Sequence, residues 1–381
     1  MIIYYQDPEA DFYPLDLFRH QAKLLIGTTP FGERKRGMFL PPPWLEPLYA
    51  RPRPKGSCLY LRATTILLER IGSKNREVVL RSKEGRLVGF LIARPPYPRT
   101  REEIEARIRK IRESRTVRTI DFYHLWELID QNGRIITSDF DRPKRAGSID
   151  SRAALLGKEI VIGKGSRIDP YAVIDAREGP VIIGEKVRIK SNSVIEGPAY
   201  IGSETVIDGA IIRGGTSIGK NCRIGGEVEA SIILSYTNKH HEGFLGHSYL
   251  GSWINLGALT TNSDLKNNYH PVRIRYKGKE FETGLLKVGC FIGDHVKTGI
   301  GTLIPTGGII GPCTNIFGGG MIDRYVPAFR WGRPGSYEEY EIEKLIDTAR
   351  TVMARRGVSL TKGYERVIRA VHRLETGGGD V

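Results

Sequence analysis

The sequence predicts a mainly β protein, with a parallel β-helix preceded by a small α/β domain and followed by C-terminal helices. The main observation is a period of six residues between Ile183 and Ile224, which fits neither an amphipathic helix nor a single strand. The residue four positions after each aliphatic residue is usually small or β-branched. Each hexad is then one short strand plus a turn, and the coils stack at strand spacing. The periodic aliphatic residues are Ile183, Ile189, Ile195, Ile201, Ile207, Ile212, Ile218 and Ile224.

The same register continues on both sides of this stretch, so the prism is predicted over about residues 157–325. We predict three parts: a small α/β domain (1–150), the β-helix (151–335) with an inserted loop and hairpin (235–288), and C-terminal helices with a tail (336–381). The flanking members of the repeat are Ile162, Ile168, Ile174, Ile292, Ile304, Ile310, Ile316 and Ile322.

The segments outside the prism give shorter signals. MIIYY predicts a strand, CLYLRATTILLERI a strand passing into a helix, and EVVLRSKEGRLVGFLIA a hairpin. REEIEARIRKIRES and DFYHLWELID predict helices, the second ending at Asn132-Gly133, and FLPPPWLEPLYARPRPKG predicts a loop. Two amphipathic helices follow the prism, the second capped by Ser359, and TGGGDV is expected to be disordered.

Composition narrows the class of protein. The 381 residues carry a net charge of +15, but the basic residues are mixed with acids and form no aromatic-studded stripe. This pattern favours anionic small ligands over nucleic acid. MIIYYQDPEADFYPL is too acidic for a signal peptide and no window has transmembrane length, which predicts a cytoplasmic protein without a membrane partner. Four widely separated cysteines are expected to be buried thiols.

The inserted segment 235–288 is where function is expected, because insertions leave a β-helix only as loops at its edges. Half of the eight histidines lie between residues 240 and 270. VRIRYKGKEFETG within it predicts a β-hairpin that turns at Lys277-Gly278-Lys279.

Within this part, GHSYLGSWINLGALTTNSDLKNNY and GDHVKTGI resemble the acetyltransferase half of the bifunctional enzymes that make UDP-N-acetylglucosamine. The prism is similar to left-handed β-helix acyltransferases. The whole chain resembles a bacterial subgroup of glucosamine-1-phosphate acetyltransferase and sugar-phosphate nucleotidyltransferase homologues, closely over residues 157–335 and faintly over the first 150. The resemblance implies a left-handed coil, acetyl-CoA as cosubstrate, and a homotrimer with active sites between subunits.

The resemblance also implies roles for individual residues. His247 matches the catalytic histidine, and a neutral imidazole is suited to take the proton from an amine that attacks a thioester. Tyr249 and Asn262 match sugar-contacting positions, and Asn255 matches a position near the acetyl group. A backbone N–H around Gly257-Ala258 would form the oxyanion hole. The candidates for phosphate contact are Lys297, on the acetyl-CoA side, and Arg213.

Two departures from the family pattern affect the prediction. Ala230-Ser231-Ile232 stands where the family has a basic residue that pairs with the substrate phosphate, so Lys239 or Lys266 would have to replace it. In the N-terminal domain, Pro14, Leu15 and Arg19 match a nucleotidyltransferase motif, but the glycine loop and threonines are missing. The domain is therefore predicted to be degenerate, with Mg²⁺ needed only if it is active.

The predicted function is acetyl transfer from acetyl-CoA to an amino-sugar phosphate or nucleotide sugar, in UDP-N-acetylglucosamine and cell-envelope sugar nucleotide biosynthesis. One alternative is a sugar-1-phosphate nucleotidyltransferase whose prism serves trimerisation. A second is a zinc enzyme like the β-helix carbonic anhydrases, using His240, His241, His247 and His295. A third is a non-catalytic scaffold. We predict no metal site.

Overall fold

A computed structural model of the chain describes residues 1–72 and 76–377. Within these ranges, short parallel strands form the three faces of a prism of about ten coils. The first face consists of Lys144–Arg145, Ile160–Ile162, Val181–Ile183, Ala199–Ile201, Thr216–Ile218, Ile232–Ile233, Tyr249–Leu250, Cys290–Ile292, Gly308–Ile310 and Tyr325–Val326.

The other two faces follow the same pattern. The second face consists of Ser148–Ile149, Arg167–Ile168, Arg188–Ile189, Val206–Ile207, Arg223–Ile224, Asn238–Lys239, Asn255–Leu256, Lys297–Thr298, Asn315–Ile316 and Arg330–Arg333, with Ser336–Glu339 antiparallel at its end. The third consists of Ala154–Leu156, Val173–Asp175, Val194–Glu196, Ile211–Ile212, Glu227–Glu229 and Phe244–Gly246, continued by Thr261–Asn262, Thr302–Ile304 and Gly320–Met321.

The predicted hexad repeat is confirmed, because its aliphatic residues form the interior of this parallel solenoid. Ile183 pairs in register with Ile201, and Ile201 with Ile218, so that like residues stack from coil to coil. All the periodic isoleucines of residues 183–224 are at most 1% exposed. The first coil begins at Lys144, earlier than the repeat indicated, because its strands carry polar residues outward and fewer aliphatic ones inward.

The N-terminal region is a small α/β unit with a mixed sheet. Its strands lie in the order Met38–Leu40, Ile2–Tyr5, Cys58–Arg62, Leu87–Ile92, Val78–Arg81 and Ser114–Thr116. Leu25–Ile26 pairs with Thr29–Pro30, and Thr65–Leu67 pairs with Thr119–Asp121. The helices are α1 (Phe31–Arg34), α2 (Arg101–Lys110) and α3 (Leu125–Asp139), with 3-10 turns at Gln21–Lys23 and Pro43–Leu48.

Several local predictions were wrong where tertiary contacts decide the structure. The segment after Cys58–Arg62 forms a second strand, Thr65–Leu67, and no helix in the described part of the segment. Helix α3 passes through Asn132-Gly133 because Asn132 is buried and fully engaged: its amide donates to the Gly215 carbonyl at 2.8 Å, and its carbonyl oxygen accepts from the Gly27 N–H at 2.7 Å.

The C-terminal helices are α4 (Ile342–Ala354) and α5 (Lys362–Thr376). The apolar stripes of both helices pack in one cluster with Phe329 of the prism and with Phe18 and Leu45 of the N-terminal region. Leu45 belongs to the proline-rich segment that was predicted to be a loop, so burial orders part of that segment. The N-cap of α5 is Thr361 and not Ser359, since the Thr361 hydroxyl accepts the Tyr364 N–H. The predicted disorder at the end of the chain falls largely outside the described residues.

The N-terminal region packs against the first face of the prism. One hydrophobic cluster joins Phe12, Leu15 and Trp126 of that region with Tyr249 and Phe291 of the first face. The predicted hairpin is confirmed as Arg273–Tyr276 and Lys279–Glu282, and it belongs to the same cluster. The insertion predicted over 235–288 is shorter, because the chain still supplies strands to all three faces up to Thr261–Asn262. The four cysteines are free and buried, as predicted. No helix in the described ranges combines the length and apolar character needed to cross a bilayer.

Candidate functional site

The candidate site lies at the corner where the third face of the prism turns into the first. His247 follows the strand Phe244–Gly246 and has a left-handed backbone, with φ of 47°. A Cβ atom on the preceding Gly246 would lie 2.4 Å from Cζ of Phe244 and 2.6 Å from Oδ2 of Asp264, so glycine leaves room here for both side chains. The corner therefore lets a histidine and an aspartate meet at one edge of the prism.

His247 and Asp264 form a hydrogen-bonded pair, with Nδ1 of the imidazole 2.8 Å from Oδ2 of the carboxylate. The two side chains are only 18% and 12% exposed. Burial raises the pKa of Asp264, but the hydrogen bond with His247 and the charges of His247 and Lys287 outweigh it, so the pKa lies below its ordinary value. The aspartate is thus a carboxylate that orients the ring through Nδ1 and leaves Nε2 outside this hydrogen bond.

The Asn262 side chain fixes the backbone beside the His247–Asp264 pair through hydrogen bonds. Its side-chain carbonyl accepts the Gly246 N–H at 2.9 Å, and its NH₂ group donates to the carbonyls of Gly246 and Ser263, each at 3.1 Å. The side chain is buried. Although the sequence predicted a sugar contact for Asn262, the structure uses its hydrogen-bonding groups within the chain, where they fix the backbone of the corner.

An ion pair of Lys287 and Glu229 lies next to the His247–Asp264 pair, with Nζ 3.2 Å from Oε1. The Lys287 side chain is about half exposed, and its backbone pairs with Leu265, next to Asp264. Sequence reasoning assigned no role to Lys287 or Asp264. Lys287 could not be found from the sequence, because it reaches the site only when the chain returns from the hairpin.

Two residues predicted to contact the substrate are buried elsewhere. Tyr249 has no exposed surface, and its hydroxyl donates to the Leu25 carbonyl at 2.8 Å, which ties the N-terminal region to the first face. Lys239 occupies an inward position in register with Ile224. Its ammonium donates to the Gly225 carbonyl at 2.7 Å, and burial lowers its pKa to about 8.

Two other basic candidates are engaged within the chain. Nζ of Lys266 donates to the Pro271 carbonyl at 2.6 Å. Arg213 lies on the third face, two coils from Gly246, with its guanidinium 2.6 Å from Glu227 and 3.5 Å from Glu196. The structure therefore does not bring a free arginine or lysine from these predicted positions to His247.

The remaining predicted residues lie along the second face, opposite the corner that holds His247. Asn255 is exposed and accepts a hydrogen bond from Asn238 at 2.8 Å, in register with Lys297. The Gly257 N–H donates to the Thr298 carbonyl, and the Ala258 carbonyl accepts from Gly301, within the coil-to-coil ladder. Within one chain these residues therefore lie on a different part of the prism from His247.

Arg19, which the sequence analysis matched to a nucleotidyltransferase motif, is bound within the chain. Arg19 donates through Nη1 to Oδ2 of Asp294 at 2.9 Å, through Nη2 to Oδ1 of the same carboxylate, and through Nη2 to Ser252 at 3.3 Å. Asp294 is fully buried. This arginine joins the N-terminal region to the prism, and its charge is already compensated, which leaves it poorly suited to hold a triphosphate.

The histidines considered for zinc lie at three different places on the prism. His240 and His241 lie between the second and third faces, His247 between the third and first, and His295 between the first and second. Among residues 1–72 and 76–377, no group of three or more histidine, cysteine, aspartate or glutamate side chains has an arrangement that could hold a metal ion.

Sequence comparisons relate part of the chain to named proteins. No protein-family model matches the chain. A bifunctional sugar-1-phosphate nucleotidylyltransferase/acetyltransferase of Sulfurisphaera tokodaii is 36% identical over 159 residues, 38% of this chain and 40% of that protein. The putative acetyltransferase YaiX of Escherichia coli K12 is 31% identical over 167 residues, 43% of this chain and 73% of that protein.

Solved structures align with the chain at low sequence identity. The UDP-N-acetylglucosamine acyltransferase of Francisella novicida aligns over 62% of this chain and 76% of its own, with 14% identity and a TM-score of 0.28. The chain spans less than half the length of the Sulfurisphaera relative but nearly three quarters of the Escherichia one. The hexad prism and the similarity to the Escherichia protein together show that the chain belongs to the hexapeptide-repeat acyltransferases.

Proposed function

We propose that the protein transfers the acetyl group of acetyl-CoA to an amino or hydroxyl group of a sugar phosphate or nucleotide sugar, with His247 as the general base. The observation that carries the proposal is the His247–Asp264 pair, which joins the two side chains at 2.8 Å at an edge of an acyltransferase prism. The setting is cytoplasmic UDP-N-acetylglucosamine and cell-envelope sugar nucleotide biosynthesis.

The chemistry needs one proton carrier and no covalent enzyme intermediate. Nε2 of neutral His247 takes the proton from the acceptor group as that group attacks the thioester carbonyl. Asp264 stabilises the imidazolium that forms and holds Nδ1 as the protonated nitrogen. As the carbon–sulfur bond breaks, the imidazolium returns the proton to the leaving thiolate, which gives free CoA thiol and neutral histidine.

The acceptor's anionic group would be held by Lys287 in place of Lys239 or Lys266. Lys287 lies beside Asp264 and is about half exposed, while Lys239 is 2% exposed inside the prism. An ammonium on a flexible stem is well suited to a phosphate that approaches from solvent. Lys287 could leave Glu229 for a phosphate without a buried cation having to move.

A homotrimer would complete the site. Asn255, Gly257, Ala258 and Lys297 lie on the second face, so a neighbouring subunit would have to present them to His247 and to acetyl-CoA. Apolar side chains on the third face and its border with the second are exposed, which a subunit contact would cover. They include Leu259 at 57%, Ile300 at 72% and Met321 at 59%.

The test is thiol release from acetyl-CoA with glucosamine 1-phosphate as acceptor. His247→Ala should lower kcat by about 10²- to 10⁴-fold, the range for loss of a general base. His270→Ala is the matched control, because His270 is exposed and lies outside the site. Sedimentation should show the same assembly for all three proteins.

Two results would contradict the proposal. Full activity of His247→Ala would exclude this residue as the base. A wild-type protein that releases no thiol with any amino-sugar phosphate or nucleotide sugar would exclude the acceptor class.

A further inference from the structure

The hairpin Arg273–Glu282 connects the candidate site to parts of the chain that the chemistry does not use. It leaves the prism after the strand Thr261–Asn262 and Asp264, and returns through Lys287 to the strand Cys290–Ile292. The site therefore lies at the base of the hairpin, and the tip of the hairpin lies against the N-terminal region and α5.

The backbone at the base of the hairpin forms hydrogen bonds with the backbone of both His247 and Asp264. The Val288 N–H donates to the Asp264 carbonyl and the Gly289 N–H donates to the His247 carbonyl, each at 2.8 Å. The approach is so close that a Cβ atom on Gly289 would lie 1.9 Å from the Gly246 carbonyl oxygen. Displacement of the returning strand would thus move the backbone of His247 and Asp264 together.

An aromatic stack holds the tip of the hairpin against the N-terminal region. The rings of Tyr276 and Tyr13 are parallel within 10°, with their centroids 5.1 Å apart, and Phe281 on the opposite strand packs against Trp126. Tyr276 is only 6% exposed. Because these rings belong to the same hydrophobic cluster as the first face, the N-terminal region holds the hairpin and the prism at once.

Two ion pairs fix the direction of the tip. Nζ of Lys279 lies 2.9 Å from Asp11 of the N-terminal region, and Nζ of Lys277 lies 2.7 Å from Glu375 of α5. The Tyr13 hydroxyl also donates to Glu375, at 3.3 Å. Since both lysines are partly exposed, the buried aromatic stack makes the larger contribution and the ion pairs set orientation.

We propose that Tyr276 is a positioning residue for acyl transfer: the N-terminal region, through Tyr13, and helix α5, through Glu375, clamp the hairpin and so place Asp264 and Lys287 against His247. The inference rests on the proposed function of His247. It assigns the first 139 residues of the chain a role in the transferase site that does not depend on nucleotide chemistry.

The test compares Tyr276→Ala and Tyr276→Phe with Arg275→Ala as matched control. The phenylalanine variant keeps the ring stack, and Arg275 lies on the same hairpin in an exposed pair with Glu280. Steady-state kinetics with glucosamine 1-phosphate and acetyl-CoA would be combined with hydrogen exchange at the Val288 and Gly289 amides and with thermal unfolding.

Tyr276→Ala should raise KM for glucosamine 1-phosphate and lower kcat, each at least about tenfold, leave KM for acetyl-CoA within about twofold, and speed exchange at both amides at least about tenfold. Tyr276→Phe and Arg275→Ala should behave as wild type. Wild-type kinetics and exchange in Tyr276→Ala would overturn the clamp, as would faster exchange spread evenly over the prism, which marks a general loss of stability.

The exchange measurement separates this inference from the proposed function. If His247→Ala keeps its activity, the proposed function fails, and exchange at Val288 and Gly289 still decides whether the hairpin is clamped. If His247→Ala is inactive but Tyr276→Ala matches wild type in both readouts, the clamp alone fails.

Discussion

Arg19 of the N-terminal region and Asp294 of the prism form a two-point ion pair in which the aspartate has no exposed surface. Asp294 also accepts the Ser252 N–H at 2.9 Å, so its charge is compensated from both sides of the contact. The pair lies between two units that are far apart in sequence and makes the N-terminal region a fixed part of the transferase.

The buried pair predicts a large effect when one partner is removed. Arg19→Ala should lower the free energy of unfolding by about 3–5 kcal/mol, because Asp294 is left buried without a cation. Urea unfolding would measure this. Glu46→Gln, which breaks the exposed pair with Arg51, is the control and should stay within about 0.5 kcal/mol. Equal effects of the two substitutions would contradict the prediction.

Asp264→Asn tests the carboxylate beside His247. An asparagine keeps the shape but supplies no charge to stabilise the imidazolium, so kcat should fall at least about tenfold, or about 1.4 kcal/mol in barrier height. Steady-state thiol release would measure it. Asp347→Asn on the exposed side of α4 is the control, and an unchanged kcat for Asp264→Asn would argue against the pair.

Lys287→Ala tests which lysine meets the acceptor's anionic group. KM should rise at least about tenfold for glucosamine 1-phosphate and change little for glucosamine, because only the former offers a phosphate. Lys266→Ala is the comparison, since its ammonium already donates to the Pro271 carbonyl. A larger effect from Lys266→Ala would restore the assignment made from the sequence.

The burial of Lys239 predicts that the free energy of unfolding depends on pH. Its pKa is about 8 in the folded protein and about 10.4 in an unfolded chain, so between these values the unfolded state binds more protons. The free energy of unfolding therefore rises with pH across this window, by up to about 3 kcal/mol from this group. Below pH 8 the destabilisation by the buried Lys239 ammonium is fully present.

Urea unfolding of wild type and Lys239→Met from pH 7 to 10.5 would show this effect. The variant carries no buried cation, so wild type should gain stability relative to it as the pH rises. Lys266→Met, at a partly exposed lysine, is the control for other titrating groups. A constant difference between wild type and Lys239→Met would show that Lys239 is not buried as a cation.

Neighbouring isoleucines on one strand test the solenoid core. Ile212 has no exposed surface, whereas Ile211 beside it is 38% exposed. Ile212→Ala should lower the free energy of unfolding by about 2–5 kcal/mol through lost burial and a cavity. Ile211→Ala should cost less than about 1 kcal/mol. Similar losses at both positions would contradict the inward register assigned to Ile212.

The sequence by itself determined the solenoid. A six-residue aliphatic period has one physical solution, in which each coil buries its aliphatic residues against the next, so the repeat specifies the prism before any long-range contact is considered. The break in the repeat at Ser235 did not mark where the chain leaves the prism, because the strands Asn238–Lys239 to Thr261–Asn262 continue all three faces and the loop with the hairpin follows only after them.

Only the tertiary structure decided which polar residues meet and which are buried. Lys239 reads as a surface lysine but occupies an inward position, and Arg19 reads as part of a phosphate loop but is bound to Asp294. Lys287 becomes part of the site only where the chain returns beside Asp264. Such pairings depend on how separate units dock, and docking is set by buried surfaces whose partners lie far apart in the sequence.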